Sequence, residues 1–193
     1  MIYKIGRFLT YLLSLLLFRI TITGRENIPT SGGALICPNH ISNIDPVVIS
    51  FTTSREIHYM AKAELFKNPL LSWFFKKVNA FPVNREKVGV ETIKTSLKIL
   101  KDEKILGIFP EGHRVNPEDR IQPASGFVVF AIKTKAPIIP VHIKGKYRFR
   151  GKIDIIIGKP VYLEEYYGKK LSDEETRQLS EKIMDTVYGL ELA

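Results

Sequence analysis

The stretch ICPNHISNIDPVV, residues 36–48, leads out of the apolar run at residues 34–37 and into a second apolar run at Val47, Val48 and Ile49. Asn39, His40 and Asp45 lie between, bracketed by Pro38 and Pro46. A short apolar run closed by proline reads as a strand that ends there. Asp45-Pro46 reads as a helix start, with the aspartate as cap and the proline as first helical residue. The two polar side chains are five residues apart, which no regular element pairs. On a helix that spacing turns the chain by about 500° and leaves them roughly 140° apart. On a strand an odd spacing puts them on opposite faces. They can meet only if the backbone bends between them, and Ser42-Asn43 favours such a turn.

The same strand-then-helix alternation runs through the rest of the chain. Strand-like runs fall at residues 20–23, 34–37, 57–60, 80–83, 105–109, 138–143 and 153–157. Helical spacing of three and four places Val90, Ile93, Leu97 and Leu100 on one face, and Leu179, Ile183, Val187 and Leu190 on another. Ser172 and Glu175 form a capping-box pattern ahead of the last helix. Residues 69–77 and 125–135 are further helix candidates. There is no internal repeat, low-complexity segment or flexible linker. The expected fold is one α/β domain with a mixed, largely parallel sheet flanked by helices.

At 193 residues the chain is long enough for a substantial core, and 45% apolar with 25% charged residues is ordinary globular chemistry. The net charge of +9 points to an anionic partner: a membrane surface, a phosphorylated ligand, nucleic acid or an acidic protein. The single cysteine, Cys37, excludes an internal disulfide and a cysteine-based zinc cluster. Lying three residues before His40 it invites a thiol-nucleophile reading, but its place in an apolar run favours an inert core residue.

Lys4 and Arg7 precede the apolar segment FLTYLLSLLLF, residues 8–18, and Arg19 follows it. Spanning a bilayer takes about 20 residues, so this segment is short for that. The expectation is a membrane-associating helix over residues 1–18, lying in one leaflet between basic anchors, ahead of a domain at 19–193. A helix packed on the sheet is the other reading.

Ligands of α/β sheets gather beyond the carboxyl ends of strands, and three such places carry chemical groups. The first is Asn39, His40 and Asp45. The second is NAFPVNR, ending in Arg85, and the third is IFPEGHR, with Glu111, Gly112, His113 and Arg114 in a loop. Gly112 allows close backbone approach to a ligand. Two arginines reaching one pocket would suit a phosphate, whose oxygens match the guanidinium fork.

In this order the three pieces resemble the glycerophospholipid acyltransferase family, in particular the bacterial 1-acylglycerol-3-phosphate (lysophosphatidic acid) acyltransferases. Asn39, His40 and Asp45 match its N-H-x4-D block, and Phe109 through Arg114 its F-P-E-G-x-R block. The segment ending in Arg85 is similar to its G-x-x-x-V-x-R block, and APIIPVHI from Ala136 to its proline-led strand. The likeness runs from about residue 18 to residue 163. It departs at Asn79, where the family has glycine, at Asn84, at His113 in place of threonine, and at Ala124.

The resemblance implies transfer of an acyl group from a thioester to the sn-2 hydroxyl of a lysophosphatidate. An alcohol attacks only when a base takes its proton, and imidazole is suited to this near neutral pH. His40 is then the general base and Asp45 the carboxylate that orients it. Arg85, Glu111, Gly112 and Arg114 form the candidate phosphate site, with Glu111 ordering the loop. Asn39 and Lys62 are supporting candidates. A thioester is already activated, so neither metal nor cofactor is expected, and the chain has no G-x-S-x-G of an α/β-hydrolase. The expected partners are a membrane phospholipid surface, lysophosphatidate and acyl-CoA or acyl carrier protein, at the cytoplasmic face of the cell membrane. Glycerol 3-phosphate or a lyso-aminolipid are the other acceptors to consider.

One further stretch, KGKYRFRGK at 144–152, alternates Lys144, Lys146, Arg148, Arg150 and Lys152 with Gly145, Tyr147, Phe149 and Gly151. In extended form it would set five cations on one face and two aromatic rings on the other. That suits an anionic membrane or an acidic carrier protein. Nucleic acid is the rival partner for such a stripe, but it accounts for neither the leading apolar helix nor the three loop motifs, so none is expected.

Overall fold

A computed structural model describes residues 2–84, 88–115, 119 and 121–192. In chain order the elements are α1 (Ile2–Leu17), β1 (Phe18–Thr23), β2 (Ala34–Pro38), α2 (Asp45–Ile49), β3 (Ile57–Lys62), α3 (Pro69–Lys77), β4 (Ala80–Val83), α4 (Val90–Lys101), β5 (Ile105–Gly107), α5 (Gly126–Thr134), β6 (Ile138–Gly145), β7 (Gly151–Ile157) and α6 (Asp173–Tyr188). Every expected strand is present. The helix α6 starts as its capping box requires: the Ser172 hydroxyl accepts the Glu175 amide, and the Glu175 carboxylate accepts the Ser172 amide.

The strands form one seven-stranded sheet in the order β1-β7-β6-β2-β5-β3-β4. All neighbours are parallel except β6 and β7. The strand β2 runs down the middle and is buried along its whole length. Ala34 and Ile36 join a core with Val48, Ile49 and Phe51 on one face, while Leu35 and Cys37 join a core with Phe127, Val128 and Ile183 on the other. A central strand covered on both faces must be apolar at every position. That is why residues 34–37 read as an unbroken run. Its neighbour β5 ends beside it, so the loops leaving β2 and β5 meet at the carboxyl edge of the sheet, while β6 runs on to Gly145.

The helix α1 has two unlike sides. Its inner side is fastened to the domain. Tyr3 is buried and its hydroxyl accepts the Ile57 amide at 3.2 Å, and Arg7 donates to the Thr53 carbonyl at 2.8 Å. Its outer side leaves Ile5, Phe8, Leu9, Leu12, Leu13 and Leu16 exposed. Helix α3 adds exposed Leu70, Leu71, Trp73 and Phe74. Among the described residues no helix is long and apolar enough to cross a membrane.

The expected stripe at 144–152 does not form. Strand β6 stops at Gly145 and β7 begins at Gly151, with a turn between in which the Gly151 amide donates to the Arg148 carbonyl at 2.7 Å. Arg150 takes a positive φ of 54°, which breaks the alternation that an extended strand would keep. Lys144 pairs with Glu191 at 2.7 Å and Lys152 with Asp154 at 3.0 Å. Phe149 is exposed, but Tyr147 turns inward against Phe18.

Candidate active site

His40 and Asp45 meet as the bend between them allows. Asp45 is fully buried, and its Oδ2 faces His40 Nδ1 at 2.8 Å. The same oxygen accepts the amides of Ile41 and Ser42, each at 2.7 Å. The carboxylate therefore reaches back over its own loop instead of capping α2, as Asp-Pro alone suggests. Its second oxygen, Oδ1, accepts the Tyr147 hydroxyl at 2.8 Å. A buried carboxylate without such donors would be costly, and here both oxygens are occupied. Facing a carboxylate, Nδ1 carries the ring proton as donor, which leaves Nε2 as the imidazole's free acceptor.

The loop leaving β5 holds His40 from the other side. The Glu111 carboxylate accepts the His40 amide at 2.6 Å through Oε2 and the Tyr188 hydroxyl through Oε1. The His40 carbonyl accepts the Val115 amide at 2.9 Å. The Phe109 ring stacks on the imidazole with centroids 4.2 Å apart. Burial pushes the Glu111 carboxyl up from its ordinary value, against the hydrogen bonds from Tyr188 and His40. Glu111 is thus turned into the protein, where it ties its loop to the His40 amide and to Tyr188. Gly112 adopts φ 71° and its amide donates to the Phe109 carbonyl at 3.0 Å, so that amide is not available to an anion.

Asn39 is a strand extender. Its side-chain amide donates to the Ile143 carbonyl at 3.0 Å and its carbonyl accepts the Ile143 amide at 2.6 Å. It continues the pairing of β2 with β6 after Pro38 has ended the strand.

His40 opens on a cavity of about 1000 Å³. Met60, Leu65, Phe75, Phe109 and Ile121 supply apolar wall; Lys62, His113 and Arg114 supply positive or titratable groups. Arg114 and Lys62 therefore share one cavity with the histidine. Lys62 also lies 3.7 Å from Glu64 at the surface. Arg85 lies outside the described residues. The basic residues of 144–152 do not line the cavity. Cys37 is buried, and burial raises its thiol well above the ordinary value, which removes it as a nucleophile. Among the described residues no cluster of His, Cys, Asp or Glu could hold a metal ion.

Sequence reasoning missed Tyr147 and Tyr188. They stand 102 and 77 residues from the carboxylates they donate to, and no local spacing announces either.

A family model for acyltransferases matches residues 19–144. Over 178 residues the chain is 34% identical to a 1-acyl-sn-glycerol-3-phosphate acyltransferase of Bacillus subtilis, covering 89% of this chain and 88% of that protein. A protein of the same name from Streptococcus pneumoniae is 29% identical over 164 residues, covering 81% of this chain and 60% of its own length. The crystal structure of the 1-acyl-sn-glycerophosphate acyltransferase PlsC from Thermotoga maritima matches with a TM-score of 0.72 at 25% identity, covering 98% of this chain and 80% of that one. The chain belongs to the acyltransferase family.

Proposed function

We propose that the protein transfers an acyl chain from an acyl thioester to the sn-2 hydroxyl of 1-acylglycerol 3-phosphate, forming phosphatidate. The observation that carries this reading is the His40–Asp45 pair, buried together at 2.8 Å, with His40 opening on a cavity that Arg114 also lines. Relatives that carry this activity in their names add support.

In the proposed reaction His40 Nε2 takes the proton from the acceptor hydroxyl as its oxygen attacks the thioester carbonyl carbon. Asp45 keeps the imidazole in the required tautomer and stabilises the imidazolium. When the tetrahedral intermediate collapses, the carbon–sulfur bond breaks and the imidazolium returns the proton to the leaving thiolate. The products are phosphatidate and a free thiol. Arg114, with Arg85, holds the acceptor phosphate by forked hydrogen bonds. The apolar wall takes the acyl chains. The activated thioester removes any need for a metal or cofactor, and no nucleic acid takes part.

The exposed apolar side of α1 rests in one leaflet of the cytoplasmic face, so the protein works as a peripheral enzyme at the surface where its acceptor resides. Acyl-CoA and acyl carrier protein both supply the thioester chemistry.

The test is thiol release by purified protein given palmitoyl-CoA or palmitoyl-acyl carrier protein with lysophosphatidate in mixed micelles. Release that needs the acceptor, yields phosphatidate and falls at least about a thousandfold in His40→Ala is expected. Release that survives in that variant would remove His40 as the base, and absence of release with both donors would remove this acceptor.

A further inference from the structure

Three of the donors on Asp45 belong to its own loop: the His40 ring and the amides of Ile41 and Ser42, all on Oδ2. The fourth, the Tyr147 hydroxyl, comes from the turn between β6 and β7 and is the donor on Oδ1 at 2.8 Å. The Tyr147 ring is itself fixed. It meets the Phe18 ring edge-on, with centroids 5.3 Å apart and planes at 87°, and Phe18 is the first residue of β1. The turn that carries it is fastened at Arg150, whose amide donates to the carbonyl of Leu17, the last residue of α1, at 2.6 Å.

A carboxylate bonded through one oxygen can swing about its Cβ–Cγ bond, whereas bonds on both oxygens fix its plane. We propose that Tyr147 is a positioning residue of the catalytic pair: its hydroxyl, held by the α1–β1 junction, locks the plane of the Asp45 carboxylate against His40 and disperses part of the charge that the imidazole feels. This rests on the reading of His40 as general base. Burial and the neighbouring Asp45 charge push the Tyr147 phenol far above its ordinary value, so it stays a donor at every working pH. The other ionisable groups around the pair are Glu111, which bonds the His40 amide, and Tyr59, which is buried near Asp45. Lys62, His113, Arg114 and Asp119 line the cavity on which His40 opens. None of these donates to Oδ1.

The experiment is steady-state kinetics across pH on wild type, Tyr147→Phe, a variant carrying 3-fluorotyrosine at position 147, and His40→Ala. Phenylalanine keeps the ring contact with Phe18 and removes only the hydroxyl. Its kcat should fall about tenfold, with the acceptor KM within about twofold. The acidic limb of its kcat/KM profile should move to higher pH by roughly half a unit, because a carboxylate with one donor fewer holds the imidazolium more tightly. Fluorotyrosine, a stronger donor, should move that limb the other way. A limb that stays in place in both variants would reduce Tyr147 to packing and overturn the proposal, whatever happens to kcat. This holds even if Tyr147→Phe proves poorly folded, since the fluorinated variant keeps both the ring and the hydroxyl. Turnover that persists in His40→Ala would instead defeat the underlying reaction.

Discussion

The peptide of His40 is gripped on both sides by one loop: Glu111 accepts its amide at 2.6 Å, and its carbonyl accepts the Val115 amide at 2.9 Å. Two motifs separated by some 70 residues in the chain thereby act as one rigid unit, since Glu111 and His40 are 71 residues apart. In Glu111→Gln a single oxygen must serve the donors that two oxygens serve now. Its kcat should fall about tenfold with little change in acceptor KM, measured by thiol release at saturating acceptor.

The same carboxyl gives a pH signature in stability. Its folded-state value is raised above the ordinary 4.5 by burial, so the folded protein takes up a proton at a higher pH than the unfolded chain does. As pH falls through the raised value, wild type should therefore gain stability relative to Glu111→Gln, and the gain should level off below 4.5. Urea unfolding of both proteins at several pH values checks the sign. An advantage that shrinks over that window would show that the carboxylate is favoured by its surroundings instead.

Asn39 predicts a loss of stability that does not depend on chemistry at the imidazole. Removing its side chain strands the buried amide and carbonyl of Ile143, each worth about 1–3 kcal/mol when left unpaired. Asn39→Ala should lower the unfolding free energy by about 2–4 kcal/mol in a urea titration, and Asn39→Asp should do no better, having no amide donor for the Ile143 carbonyl.

Arg114 is separable from the base. Arg114→Ala should raise the KM for lysophosphatidate about tenfold while changing it far less for an acceptor without a phosphate. Parallel titration of the two acceptors decides the point, and equal effects on both would place the guanidinium away from the phosphate.

The outer side of α1 can be tested without disturbing its inner side. Leu9→Glu with Leu16→Glu should abolish co-sedimentation with phospholipid vesicles and leave thermal unfolding within a few degrees of wild type, because both side chains are exposed. Deleting the whole helix is a poorer experiment, since Tyr3 and Ser14 are buried in the domain.

Seven strands, the long helices and the meeting of His40 with Asp45 were legible in the chain because each depends on near neighbours. Residues 34–37 announced a strand buried on both faces, and the bend at Ser42 needed only turn chemistry. Tyr147 was misread because an alternating pattern was projected through a turn that Gly145, Arg150 and Gly151 create. Asn79 shows the opposite case. It departs from the family's glycine, yet it sits at φ 61° at the end of α3 with its amide on Glu56 at 2.8 Å. Asparagine is among the few residues that replace glycine in that conformation, so the position serves the turn.

The proposed resting of α1 in one leaflet has a kinetic consequence. Its 16 residues make a rod of about 24 Å, bonded at its last carbonyl to the turn that carries Tyr147. A protein resting on that rod samples its acceptor in two dimensions. Its rate should follow the mole fraction of lysophosphatidate in the surface and stay constant when acceptor and carrier lipid are increased together.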